Sequence, residues 1–197
     1  MPDAHYDVAI IGTGPGGEGA AMQAIKQGKS VISIEKFYEI GGNCTHKGTI
    51  PSKALRYSIL QMSEINNYMR QMGRLGMVLD LEFPDLRKTA ASVIQKQVGM
   101  RRTFYERNGV DLVEGHARFL DPHRIHIDTP SGLTEEITFD YAIIATGSRP
   151  YRPADVDFSH PRIFCSDTIL DLNFTPRSIS VYGAGVIGCE YASMLRT

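Results

Sequence analysis

The chain has 197 residues, an apolar fraction of 42 % and a net charge of −1, with both signs spread along it. That composition supports a real hydrophobic core, and the absence of a basic stripe argues against nucleic-acid binding and anionic-membrane docking. No apolar run reaches membrane-span length, no cationic or apolar leader precedes the first strand, and three cysteines do not make a secreted disulfide framework, so a cytosolic address is expected.

Residues 7–11 form a short apolar run rich in β-branched side chains, which predicts a strand buried on both faces. Glycines follow, then a helix over 18–27 with Ala20, Ala21, Ala24 and Ile25 on one face and Gly28 as its C-cap. Residues 31–34 repeat the buried-strand pattern and complete a βαβ unit. A polar loop is expected over 41–51, then a helix from Ser52 carrying Leu55, Ile59 and Met62. A longer helix over 83–108 is read from Leu86, Ala90, Val93, Met100 and Phe104, ending at Gly109. Strands are predicted over 110–119, 123–128 and 137–146, with turns at Asp121-Pro122 and at residues 130–132. Pro150, Pro153 and Pro161 mark an irregular stretch, and a domain boundary is placed near residue 155. Residues 178–182 read as another buried strand entering a second glycine-rich turn. The last residues lie inside a helix with about half of a second βαβ unit present, so the chain is expected to be a fragment with an uncovered apolar face.

Two turns carry a physical signature. Gly12-Thr13-Gly14-Pro15-Gly16-Gly17 places glycines where a strand passes into a helix. The first, Gly12, permits the tight turn; Gly14 lets backbone N–H groups approach a pyrophosphate; Gly17 allows helix and strand to pack closely. The helix N-terminus adds partial positive charge. Glu35 lies about twenty residues further on, where an acid accepts hydrogen bonds from an adenosine ribose and repels a 2′-phosphate. Gly183-Ala184-Gly185-Val186-Ile187-Gly188 repeats the pattern. Two fingerprints point to two dinucleotides, one flavin and one nicotinamide.

The segment from Gly41 to Lys53, GGNCTHKGTIPSK, resembles the G-G-x-C-x-x-x-G-C-x-P-x-K loop of the pyridine nucleotide–disulfide oxidoreductases. The order of parts is similar too: first fingerprint, this loop, the A-T-G-S-x-P turn from Ala145 to Pro150, then the second fingerprint with Glu190. One position departs. Where the second redox cysteine of that family would stand, this chain has Thr49, leaving Cys44 alone. The C-T-H-x-G-T-I-P-S-K form looks like that of the soluble (Si-specific) pyridine nucleotide transhydrogenases, as do residues 109–119 and 147–151.

That resemblance implies an α/β fold: a Rossmann-like FAD-binding domain over 1–155, then a linker and the start of a Rossmann-like NAD(P)-binding domain over 156–197. It implies hydride transfer from NADPH to NAD⁺ through bound FAD, with the protein supplying orientation and electrostatics. Lys53 matches a lysine beside the flavin ring and Glu190 the acid that pairs with it. Gly42, Cys44, Thr49, Thr146 and Gly147 match flavin-side positions, and Gly115, His116 and Ala117 a segment whose backbone faces the adenine. A homo-oligomer is implied for the full-length protein. A disulfide reductase or dihydrolipoamide dehydrogenase-like enzyme, and an inactive FAD-binding fragment, are the competing readings.

Other candidates carry less. Cys44 reads as a reactive thiol or an inert buried one, Cys165 and Cys189 as structural. His123 and His126 fall on opposite strand faces, which disfavours a shared metal. His46 is read as a possible acid or base in the flavin-side loop, or as a bystander.

Overall fold

A computed structural model describes residues 4–74 and 82–196; residues 1–3, which precede the first strand, and Thr197 lie outside them. The chain divides into two compact units, neither continuous in sequence: residues 1–46 with 96–148, and residues 47–95 with 149–197.

The first unit is built on a six-stranded sheet ordered β3-β2-β1-β6-β5-β4. β1 (Ala4–Ile11) lies between β2 (Val31–Glu35) and β6 (Thr134–Ile144), parallel to both, and β3 (Asp111–Glu114) adds in parallel beside β2. β4 (His116–Asp121) and β5 (Arg124–Asp128) extend the other edge as an antiparallel meander. β2 is buried along its whole length, as a strand covered on both faces requires. Ala9, Ile32, Ile34, Ile125, Ile127, Ile137 and Phe139 form one cluster. α1 (Pro15–Lys26) joins β1 to β2, with Ala21 fully buried.

The second unit holds α3 (Thr49–Gln71), the first half of α4 (Phe83–Arg107), a 3-10 turn at Ile169–Asp171 and α5 (Val186–Leu195). Leu55 and Ile59 of α3, Phe83 and Leu86 of α4, Ile169 and Leu172, and Tyr191 and Met194 of α5 close its core. Burial drives the Tyr191 phenol up to about 12, with Glu190 and Asp167 adding to the shift.

Several expectations are corrected. β1 begins at Ala4 because Ala4 pairs with Ile137 of the long β6. α1 starts at Pro15, which suits a first helical position because it has no N–H to leave unbonded. The loop over 41–51 is shorter than read: Gly42–His46 forms a helical turn, α2, and α3 begins at Thr49 with Pro51 tolerated in its first turn. The run over 110–119 splits at Gly115, where a side chain would overlap Ile127, so that β3 follows β2 while β4 joins β5.

On α4 the buried face is Phe83, Leu86, Ala90, Val98 and Tyr105; Met100 and Phe104 are exposed. Leu86 and Phe104 stand about five whole turns apart on one face, yet the first half of α4 belongs to the second unit and the second half to the first, so a single apolar row is not buried along the whole helix. Residues 178–182 form no strand: among the described residues of the second unit there is no neighbouring strand to pair with, and Ile179, Val181 and Tyr182 are exposed. α5 nonetheless buries Tyr191 and Met194, against the expectation of an uncovered helix, while Val186 and Ile187 remain exposed.

Candidate functional site

In the first unit the sequence-predicted residues gather at the carboxyl ends of β1, β2 and β6, the edge where open α/β sheets bind ligands. Gly12 leaves β1 at φ 105°, and a Cβ there would overlap the carbonyl of Ala145 just past β6. Gly12 N–H donates to Ile34 O and Ala145 N–H to Ile11 O, both at 2.8 Å, so the three strand ends are tied together. A Cβ on Gly17 would overlap Gly12 O. Both glycines are demanded by the fold itself. Gly17→Ala should therefore cost about 3 kcal/mol or more through backbone overlap, read as a lowered denaturation midpoint or loss of soluble protein.

Gly14 differs. It caps α1 at φ −65°, open to any residue, and a Cβ there would meet only Gly42 Cα, at 3.9 Å. Nothing in the protein needs that position empty. The space above Gly14 is one that a Cβ would fill and the chain does not, and no side chain caps the helix N–H groups below it. That arrangement fits a pyrophosphate. Gly42, at φ 61°, brings the 41–46 turn against this place, its own Cβ position lying 2.9 Å from Gly14 Cα.

Glu35 ends β2 almost fully buried. Its Oε2 accepts Thr13 N–H at 3.0 Å and Thr13 Oγ1–H at 2.6 Å, and its Oε1 accepts Phe37 N–H at 3.2 Å. One lone pair on Oε1 is left for an incoming hydroxyl. Gly41 N–H in turn donates to Thr13 Oγ1 at 3.1 Å, so Thr13 couples the acid to the glycine loop. Reading glycines alone passes over Thr13; a β-branched hydroxyl inside a glycine run was its only signal. Asn43 was likewise missed: its Nδ2 donates to Ser148 O at 2.7 Å and links the 41–46 turn to the turn holding Thr146 and Gly147. Gly147 adopts φ 70°. Gly115 N–H donates to Glu35 O at 2.8 Å, setting His116 and Ala117 beside the end of β2.

His46 is hydrogen-bonded through one ring nitrogen and has a carboxylate near the other. Nε2–H donates to Ile40 O at 2.9 Å and Nδ1 lies 3.5 Å from Glu39 Oε2. These contacts hold the ring against the 39–41 segment of the loop. Cys44, Cys165 and Cys189 form no disulfide; the first two are half-buried and Cys189 is exposed. Burial pushes the Cys165 thiol up, but hydrogen bonds from Thr168 and Arg152 outweigh it and hold the thiol below its usual range. Among the described residues no group of His, Cys, Asp and Glu side chains is arranged to hold a metal ion, and His123 and His126 are engaged with Phe139 O and Asp128.

In the second unit the second fingerprint has the same division of labour. Gly183 takes φ 115°, and a Cβ on Gly188 would overlap Gly183 O, whereas Gly185 caps α5 with open space around it. One turn into α5, Glu190 forms an ion pair with Lys53 of α3, the acid mostly buried and the ammonium more than half exposed. One turn along each helix, Arg56 Nη1 donates to Ser193 Oγ at 2.8 Å. Thr49 opens α3, exposed.

The profile of the family described as "Pyridine nucleotide-disulphide oxidoreductase" matches residues 6–197. The chain is 52 % identical over 192 residues to a soluble pyridine nucleotide transhydrogenase of Pseudomonas paraeruginosa, and 53 % identical over 192 residues to one of Azotobacter vinelandii. Each match covers 96 % of this chain and 41 % of the relative, so the chain spans well under half the length of these curated proteins. Among solved structures it is similar to the Cu(II) complex of the HOCl-induced flavoprotein disulfide reductase RclA of Escherichia coli. There the TM-score is 0.79 at 26 % identity, covering 99 % of this chain and 40 % of that one. Among the described residues no helix is long and apolar enough to cross a membrane.

Proposed function

The chain belongs to the pyridine nucleotide-disulphide oxidoreductase family, and from that premise we propose that it is the amino-terminal part of a cytoplasmic transhydrogenase that passes hydride from NADPH to NAD⁺ through FAD. Residues 1–155 would be the flavin-binding part and residues 156–197 the opening of the nicotinamide-binding part. When bound, the flavin supplies a two-electron hydride relay. The first-turn N–H groups of α1 receive its pyrophosphate over Gly14, and the remaining lone pair of Glu35 Oε1 orients its ribose. By the family resemblance, Gly42, Cys44, Thr146 and Gly147 would serve the ring and phosphates, the backbone at His116 and Ala117 the adenine, and Thr49, in the second unit, would be a further flavin-side residue. Gly183, Gly185 and Gly188 receive the nicotinamide dinucleotide at α5. Lys53, ion-paired with Glu190, would hold a stationary positive charge for the hydride chemistry.

What carries this reading over a disulfide reductase is the single thiol of the 41–53 loop: Cys44 is free and the family's second cysteine is Thr49. The full-length protein, taken as a homo-oligomer, should purify yellow and release FAD, not FMN, on denaturation. It should reduce an NAD⁺ analogue with NADPH by ping-pong kinetics. A colourless protein that FAD cannot reconstitute would end the proposal.

A further inference from the structure

Glu18 is an anomaly at the proposed pyrophosphate seat. It stands in the first turn of α1, four positions after the N-cap Gly14, whose carbonyl accepts its N–H at 2.9 Å. A carboxylate there is attracted by the same helix-terminal charge that a pyrophosphate needs, and it repels that anion. Arg101 of α4, within the same unit, meets it. Its Nε lies 2.9 Å from Glu18 Oε2, with side-chain exposures of only 17 % for the arginine and 24 % for the acid. Neither atom makes an aligned hydrogen bond in that contact, so the interaction is one of charge.

The guanidinium is held in place from behind. Its Nη1 donates to Gln97 Oε1 at 2.8 Å, one turn earlier on α4. One turn later comes Tyr105, fully buried. Burial first, and then the nearby Glu18 and Glu35 carboxylates, push its phenol well above the usual tyrosine range, while Ser33 and Arg101 pull it back. Both carboxylates thus act on Tyr105, and Arg101, in contact with Glu18, opposes them.

We propose that Arg101 is a positioning residue for the anionic cofactor: by neutralising Glu18 it leaves the N-terminus of α1 free to hold a pyrophosphate. This rests on the flavin reading above and deepens it. Glu18 and Arg101 touch each other and need not touch the ligand; what they set is the potential at the seat.

The test is equilibrium binding of FAD to the deflavinated full-length protein, followed by flavin fluorescence, in wild type, Arg101→Gln, Glu18→Gln and the double variant. Arg101→Gln should weaken FAD about tenfold, since it strands a carboxylate at the helix start. Glu18→Gln should bind FAD as well as wild type or more tightly. The double variant should return to within about threefold of wild type, because the offending charge is gone, and Arg101→Lys should keep most of the affinity. The loss in Arg101→Gln should shrink as salt rises from 50 mM to 500 mM, values chosen to shorten the Debye length severalfold. A contact that merely packs α1 on α4 gives another pattern: both single variants weaken FAD and the double variant does not recover. That pattern, or unchanged binding in Arg101→Gln, overturns the inference. If Arg101→Gln does not fold, the sign of the Glu18→Gln effect decides alone, weaker binding overturning it. Wild-type protein that binds no FAD would instead sink the flavin reading.

Discussion

Gly14→Val in the full-length protein is expected to give a folded apoprotein: colourless, with far-UV circular dichroism like wild type and FAD affinity lowered by at least about a hundredfold. The sign follows from what surrounds each glycine. Gly12 and Gly17 are held by backbone atoms that a Cβ would overlap, but Gly14 has an ordinary φ and only Gly42 Cα at 3.9 Å from its Cβ position. The protein therefore has room for a Cβ at residue 14, and the helix-capping cost is about 1 kcal/mol. The ligand has no such room, because valine occupies the place through which the N–H groups reach the phosphates. Unfolding in Gly14→Val would assign the position to the fold; retention of yellow colour would remove the phosphate from it.

Reductive titration should separate the two chemistries that this family's loop supports. With Cys44 free and Thr49 five positions on, the loop has no sulfur pair to store electrons. The full-length protein is expected to take up two electrons per FAD in an anaerobic dithionite titration, without a long-wavelength thiolate–flavin band. Cys44→Ser should keep most of the transhydrogenation rate, since sulfur does no redox work in this scheme. Four-electron uptake, or loss of turnover in Cys44→Ser with flavin still bound, would restore a thiol mechanism. Thr49→Cys then asks whether the loop alone withheld the disulfide: if its geometry accepts a bridge, a second pair of electrons should appear in the same titration.

The glycine turns were legible because their demands are local: a positive φ, a close approach, a strand feeding a helix. Glu35 was legible for the same reason, its spacing being set by one βαβ unit. Its partner Thr13 was not, because a hydroxyl aimed at a carboxylate from the neighbouring strand end leaves no period in the sequence. Asn43 on Ser148 O and Arg101 on Glu18 are likewise tertiary events between segments far apart in the chain. The face of α4 was not legible for a different reason: its two halves belong to different units, and no periodicity within the helix records where the buried face changes. At residues 178–182 the local pattern was a strand's, yet a strand exists only by pairing, and no pattern within five residues records whether a neighbour is present.

The placement of β1 between β2 and β6 has a bearing on biosynthesis. β2 is translated some twenty residues after β1, but β6 only after residue 134, so His5 waits for Thr138 across 133 positions. Gly12 rests against Ala145 and Asn43 bonds Ser148, so the walls of the seat come from the beginning and the end of this unit. A ribosome thus finishes the whole unit before the cofactor has a place to land, and loading belongs to a stage after the meander has emerged. Until then the edge of β1 that β6 covers is an unpaired strand edge.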